Sequence, residues 1–278
     1  MRARGYRQRV LDIGCGAGIS SEGYDLYFDV TGMDNNPEAG RYYPYEFVCK
    51  DALKRDPETG KFVSGLDPDY LREFDLIHLG GPCQPWSKMM NCRPGLREKY
   101  TDLIIPLRPA LQASGVPYVI ENVEGAPLID PVWLCAVAFG YPELLRHRGF
   151  ETGNGFVLPP MRHPEHPLKA SKAGHWVPGT AMSIAGHIAP ISKARELMAM
   201  THRHVPREML AEAAPPYMTA YVAAHATAYL SREAALWTRQ ATAGSCSARS
   251  SPARRSRRSI SRSPSCRSRS ATSPTRTS

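Results

Sequence analysis

Cys83 stands in Leu79-Gly80-Gly81-Pro82-Cys83-Gln84-Pro85-Trp86-Ser87, directly after the run Phe74-Asp75-Leu76-Ile77-His78-Leu79. That run has the length and pattern of a short buried strand, and the Gly-Gly-Pro that follows stops it. The thiol is therefore set at the lip of a sheet, on a loop that cannot re-form regular structure, where α/β proteins bind ligands. Two readings are open: a nucleophile, or one more small buried hydrophobe. Val116-Pro117-Tyr118-Val119-Ile120 reads as another strand, ending in Glu121-Asn122-Val123. Its carboxylate either joins the same rim or is a solvated cap. In Leu144-Leu145-Arg146-His147-Arg148-Gly149-Phe150-Glu151-Thr152 two arginines alternate. On a strand both face one side, either to grip a phosphate or a base-edge carbonyl or to form a solvated basic edge.

These groups need a sheet to hold them. Arg9-Val10-Leu11-Asp12-Ile13 reads as its first strand and runs into Gly14-Cys15-Gly16-Ala17-Gly18-Ile19-Ser20. Alternate glycines let the backbone turn tightly and approach a ligand, and the helix that follows offers its N-terminal amides. Asp29-Val30-Thr31-Gly32-Met33-Asp34 reads as the second strand, ending in an acid about twenty residues on, where nucleotide-binding α/β folds receive ribose hydroxyls. Glu46-Phe47-Val48-Cys49-Lys50-Asp51-Ala52-Leu53 is a third, with Asp51 able to accept from an exocyclic amine. Ordinary turn or cap chemistry is the alternative for Asp34 and Asp51. Residues 56–69 form a polar connection, and 100–113 have helical spacing that Pro106 and Pro109 are expected to interrupt. The irregular stretch 158–190 holds His163, His166, His175 and His187, with no cysteine or acid pair at ligand spacing, so no metal site is expected. Residues 191–200 and 207–230 read as helices, the second broken at Pro215-Pro216.

The 278 residues are enough to bury a core and contain no apolar run of membrane-spanning length. Seven irregularly spaced cysteines without a Cys-x-x-Cys pair, and an N-terminus lacking a signal-peptide apolar region, imply a reducing compartment. The +9 net charge lies in 231–278, whose 11 arginines, no lysine and one acid sum to +10 and leave −1 for the first 230 residues. That Ser/Arg-rich tail is expected to be disordered, whether as a polycationic nucleic-acid-binding segment or as frame-shifted coding sequence.

Together these residues resemble the DNA (cytosine-5) methyltransferases of prokaryotic and phage type, over roughly residues 9–230. Asp12-Ile13-Gly14-Cys15-Gly16-Ala17-Gly18 is similar to the family's S-adenosyl-L-methionine loop, and Asp34 and Asp51 fall where ribose and adenine are held. Gly81-Pro82-Cys83-Gln84 resembles the nucleophile loop, Glu121-Asn122-Val123 the Glu-Asn-Val motif, and Arg146-His147-Arg148 the paired-arginine strand. The chain departs from the family at Leu144, where a Gln is common, and at Ala211-Glu212-Ala213-Ala214-Pro215, which keeps only the proline of Gly-Asn-x-x-Pro. Only about 35 to 40 residues follow Arg148 before the late motifs, so the recognition region is small.

The resemblance implies a doubly wound Rossmann-like α/β sheet over 1–150, a small recognition region over 151–190, helices returning over 191–230, and the tail. It implies S-adenosyl-L-methionine bound by Asp12, Gly14, Gly16, Gly18, Asp34, Asp51 and Pro82. Cys83 would attack carbon 6 of cytosine, Glu121 would support ring nitrogen 3, and Arg146 or Arg148 would hold the base carbonyl or Glu121. The cationic arginines would also favour the Cys83 thiolate. Double-stranded DNA with its cytosine turned out is the expected partner, with Gln84, Ser87 and Arg93 touching it. A monomer in the cytoplasm of a bacterial or phage-infected cell, working in restriction-modification, is the expected setting. An RNA cytosine-5 methyltransferase and a catalytically inactive DNA-binding relative are the alternatives. A dinucleotide-dependent oxidoreductase fits the glycine loop but leaves Pro82-Cys83-Gln84 unexplained.

Overall fold

The computed structural model describes residues 7–87, 95, 99–171, 176–184 and 190–247, without side chains for 237–247. Arg93, His175, His187 and residues 248–278 lie outside the described residues. The elements run β1 (Arg9–Ile13), α1 (Ile19–Asp25), β2 (Asp29–Asp34), α2 (Pro37–Gly40), β3 (Glu46–Cys49), β4 (Leu53–Arg55), β5 (Phe62–Ser64), α3 (Pro68–Leu71) and β6 (Leu76–Gly80). They continue with α4 (Ile104–Ser114), β7 (Tyr118–Asn122), β8 (Val132–Cys135), β9 (His147–Gly153), α5 (Ile191–Leu197), α6 (Arg207–Glu212) and α7 (Pro216–Ser247).

Seven strands form one sheet in the order β3-β2-β1-β6-β7-β9-β8. Neighbouring strands from β3 to β7 pair in parallel, and β9 pairs antiparallel with both β7 and β8. The chain therefore reverses its direction of travel across the sheet between β1 and β6, which opens a crevice at their carboxyl ends. Strand alternation sorts the core into two layers. Val10, Val30 and Leu76 join Tyr24, Phe28, Met218 and Val222 in one layer, while Leu11, Ile13, Ile77 and Leu79 join Ile104, Leu107 and Leu111 in the other. Among the described residues, no helix is long and apolar enough to cross a membrane.

Three expectations change. Both prolines sit within α4. Pro106 falls in the first turn, where a missing N–H has no intrahelical acceptor, and Asp102 caps the turn by accepting from Ile104 N and Ile105 N at 2.8 and 3.1 Å. Pro109 costs only the bond to the carbonyl of Ile105, a solvent-facing residue. The third strand ends at Cys49, because Asp51 turns the chain by accepting from Leu53 N at 2.9 Å, and Leu53–Arg55 instead pairs with β5 in a separate ribbon. Finally, α7 continues past Leu230 to Ser247. Residues 231–241 keep Ala, Leu, Glu, Gln and Arg, all good helix formers, before the Ser/Arg-rich composition takes over.

The first turn of α7 lies against α1. Thr219 donates to Ser20 O at 2.7 Å, and Ser20 donates to Ala214 O at 3.3 Å. Gly23 permits that approach. A Cβ there would stand 2.1 Å from Thr219 Oγ1 and 2.3 Å from Pro216 O. Gly23→Ala is accordingly expected to destabilise the fold by about 1–3 kcal/mol despite alanine's better helix propensity. Urea unfolding checks this, and an unchanged midpoint would contradict the close packing.

Candidate active site

The loop after β1 turns through three glycines in the left-handed region, with φ of 73° at Gly14, 51° at Gly16 and 78° at Gly18. At Gly14 a side chain is also excluded sterically, because a Cβ would lie 2.4 Å from Gly80 O at the end of β6. The loop borders a cavity of about 410 Å3, a size suited to a nucleoside-sized ligand. Asp12, Gly14, Gly16, Asp34, Asp51 and Pro82 line it, and Glu121 and Glu212 also stand on its wall. Gly18 does not line it but packs against Tyr43 and Pro44 as the N-cap of α1, so its part is in the turn.

The wall acids are already engaged. Asp12, 1 % exposed, meets His78 Nδ1 at 2.9 Å and accepts from Ser21, whose hydroxyl also meets that of Tyr43. Asp34 accepts from Gly16 N at 3.0 Å and Asn36 N at 2.8 Å, which fixes the glycine loop against β2. Each carboxylate keeps lone pairs beyond these bonds, so the cradle is preformed yet still able to accept. Arg203, in the loop before α6, donates to Ala17 O at 2.8 Å and to Tyr42 O, and pairs with Glu22. It staples the cradle from behind.

Three strand ends bring the reactive groups together. Gly80 pairs with Glu121 in the register of β6 and β7, so the Cys83 loop and the carboxylate leave adjacent strands at one edge. Asn122 joins them, donating from Nδ2 to Gly81 O at 3.2 Å while its Oδ1 accepts from Val123 N at 2.9 Å. Past the cysteine the chain turns back, with Trp86 N and Ser87 N donating to Cys83 O at 3.1 and 2.9 Å. From the far side of β7, Arg148 Nε lies 2.7 Å from Glu121 Oε1, both side chains being buried. Arg146, just ahead of β9, donates to Ala211 O at 2.8 Å and to Ala213 O, while Arg148 reaches Glu212 O at 3.3 Å. The departure at 211–213 therefore caps both guanidiniums with backbone carbonyls, a role that any side chain there permits.

The electrostatics of Cys83 differ from expectation. Burial raises its thiol pKa and outweighs Arg148 and Arg146, which pull it down, while Glu121 and Glu212 also push it up. Burial and the neighbouring Arg148 bring Arg146 down to about 9, so it stays cationic at neutral pH. Cys15, buried in the glycine loop, is pushed far above the usual thiol range by burial and by Asp12, and is not a rival nucleophile. Gln84 donates to the Glu212 carboxylate, and Ser87 is half-buried beside it in the chain. Glu212, Asn122, His78 and Arg203 were not foreseen as site residues. Asn122 and Glu212 stood in quoted motifs without a role of their own, and His78 and Arg203 carried no local signal.

No protein-family profile matches the chain, and no curated protein sequence matches it. Solved structures do. EhMeth, a methyltransferase of Entamoeba histolytica, is 11 % identical with a TM-score of 0.51, covering 81 % of this chain and 99 % of its own. The Dnmt2 methyltransferase of S. pombe is 12 % identical with a TM-score of 0.46, covering 78 % and 97 %. A DNMT2 mutant of Spodoptera frugiperda is 17 % identical with a TM-score of 0.35, covering 66 % of this chain and 56 % of its own length, so the chain spans little more than half of that protein. The likeness to EhMeth shows a shared fold, a mixed α/β Rossmann-like sheet.

Proposed function

We propose that the chain is an S-adenosyl-L-methionine-dependent cytosine-5 methyltransferase acting on double-stranded DNA as a monomer. The observation that carries this reading is the meeting of Cys83, the Glu121–Arg148 pair and Arg146 next to a cavity that Pro82 and Glu121 line together with the glycine loop and further acids.

The residues present fit the cofactor. S-adenosyl-L-methionine, when bound, supplies a methyl group on a sulfonium cation, and Asp12, Asp34, Asp51, Glu121 and Glu212 make the wall acidic. Asp34 stands where ribose hydroxyls would be received, and Asp51 where an amine would. At the opposite end, the Cys83 thiolate adds to carbon 6 of the base, and the displaced electron pair gives carbon 5 enamine character. Glu121 supports ring nitrogen 3 as charge develops, and the Arg148 guanidinium holds Glu121 in place. Among the described residues, Arg146 Nε is buried without a hydrogen-bond partner, a donor available to the base carbonyl. After transfer the proton leaves carbon 5 to solvent or a nearby base, and the thiolate departs as the double bond re-forms. Such a base has to leave the duplex, and in this reading Gln84 and Ser87 meet the strand it leaves.

Because burial raises the Cys83 thiol pKa, the thiolate is a minor form near neutrality and grows about tenfold per pH unit below that pKa. We therefore expect kcat/KM to climb with slope near one from about pH 7 to pH 8.5. A flat profile over that range would contradict a neutral resting thiol.

The direct test of the function supplies methyl-labelled S-adenosyl-L-methionine with duplex DNA or with RNA, followed by nucleoside analysis. Label in 5-methylcytosine from DNA is the expected result. Label from RNA alone would keep the chemistry and replace the substrate. No label from either would overturn the proposal and favour an inactive nucleic-acid-binding relative.

A further inference from the structure

Outside the catalytic site, four metal-ligating side chains converge that sequence spacing does not bring together. Cys135 ends β8 and His147 opens β9, and the two are direct cross-strand partners. His163 and His166 come from the extended stretch that follows β9. The Cys135 sulfur and one imidazole nitrogen from each histidine all lie within 4.8 Å of one another. Cys135 Sγ is 3.4 Å from His166 Nε2, and His147 Nε2 is 2.9 Å from His163 Nε2. The three rings face one another at centroid separations of 5.1, 5.1 and 5.2 Å.

From this geometry we infer a structural zinc site formed by Cys135, His147, His163 and His166. Zinc–nitrogen bonds of about 2.0 Å and a zinc–sulfur bond of about 2.3 Å set the edges of a tetrahedron at roughly 3.3–3.6 Å, which falls within the span from 2.9 Å to 4.8 Å that the four ligand atoms occupy. One thiol and three imidazoles are a complete four-ligand set, which closes the site to substrate and makes it structural. Binding releases the thiol proton, and each histidine ligates as the neutral imidazole through its inward nitrogen. Cys135 is 2 % exposed, so its sulfur faces the histidines and not solvent.

The site is placed to do structural work. It would clamp residues 163–166 to the β8–β9 edge, and His147 lies between Arg146 and Arg148 in the chain. Nearby, Phe156 and Leu158 are buried and Tyr221 donates to Pro159 O at 3.1 Å, so the clamp extends an already anchored segment. Four ligands from two adjacent strands and one His-x-x-His segment are enough to fix where the small region after β9 begins.

The test uses the full chain without a polyhistidine tag. Elemental analysis of the isolated protein, or of protein incubated with zinc and desalted, is expected to give about one zinc per chain. Cobalt substitution should give intense visible bands of a tetrahedral site together with a thiolate-to-cobalt charge-transfer band. Cys135→Ser should abolish the charge-transfer band, whereas Cys83→Ser and Cys49→Ser should keep it. His163→Ala and His166→Ala alter side chains that are exposed or half-buried and should fold, yet lose the metal. Chelation should lower the thermal midpoint of the wild type, reversibly on adding zinc, and leave that of His166→Ala unmoved. Substoichiometric zinc in both wild-type preparations, a cobalt spectrum without a thiolate band, or undiminished metal in Cys135→Ser and His166→Ala would each overturn the site. None of these readouts depends on methyl transfer, so the zinc site and the proposed function stand or fall separately.

Discussion

Cys83→Ser is expected to reduce methyl transfer by at least about a thousandfold while leaving the fold and cofactor affinity nearly unchanged. A hydroxyl in place of the thiol is a far weaker nucleophile at the same position. Burial already disfavours the thiolate, and the favourable charges of Arg148 and Arg146 do not reverse that balance. They would do still less for an alkoxide. Cofactor affinity should persist because Cys83 does not line the cavity, whereas its neighbour Pro82 does. Single-turnover rates and calorimetric titration separate the two quantities. Wild-type turnover in the variant would remove Cys83 from the mechanism. Loss of cofactor binding would instead mean that the substitution disturbs the loop around Gly81.

The second large effect concerns Arg148 and Glu121. Arg148→Met should cost about 3–5 kcal/mol of stability, because it leaves a carboxylate that is 5 % exposed without its charged partner. Removing both charges in Arg148→Met/Glu121→Gln should recover most of that loss, since two well-packed neutral groups need no compensation in a buried site. Turnover should not recover with it, because the Glu121 carboxylate that supports ring nitrogen 3 is gone. Chemical unfolding and kcat measured on all four proteins form the cycle. A double variant as unstable as the single one would mean that Arg148 contributes mainly through its bond to Glu212 O. A double variant restored in activity would place the chemistry elsewhere.

The parts legible in the sequence are those written locally. Apolar strand runs ending in Gly-Gly-Pro or Glu-Asn-Val declare both the strand and the residue at its tip, so the positions of Cys83 and Glu121 were legible locally, whereas their roles came only from the resemblance. The glycine loop was legible for the same reason, since positive φ at Gly14 and Gly16 demands that residue type. What Asp12 and Asp34 do was only half legible. Both stand on the cavity wall, but each also holds the cradle together through His78, Ser21 or the Gly16 amide.

Features that depend on register or distant contact were not legible. Nothing near Arg146 announces that carbonyls of residues 211 and 213 would cap it. Cys135 and His147 become neighbours only through the antiparallel pairing of β8 with β9, and without that register the histidines of 158–190 gave no reason to expect a metal. Pro109 misled in the other direction, because the carbonyl it leaves unpaired belongs to a solvent-facing residue. The end of α7 was misplaced because the change in composition was taken at Leu230, whereas helix-forming residues persist to 241.

Duplex DNA containing 5-fluorocytosine, mixed with the protein and S-adenosyl-L-methionine and resolved by denaturing electrophoresis, probes the covalent step itself. Fluorine at carbon 5 cannot leave as a proton does, so the Cys83–carbon 6 bond formed before transfer stays closed. A cofactor-dependent protein–DNA adduct, absent in Cys83→Ala, is the result expected of this site. Absence of any adduct from a wild-type protein that binds the cofactor, or an adduct that persists in Cys83→Ala, would contradict Cys83 as the nucleophile.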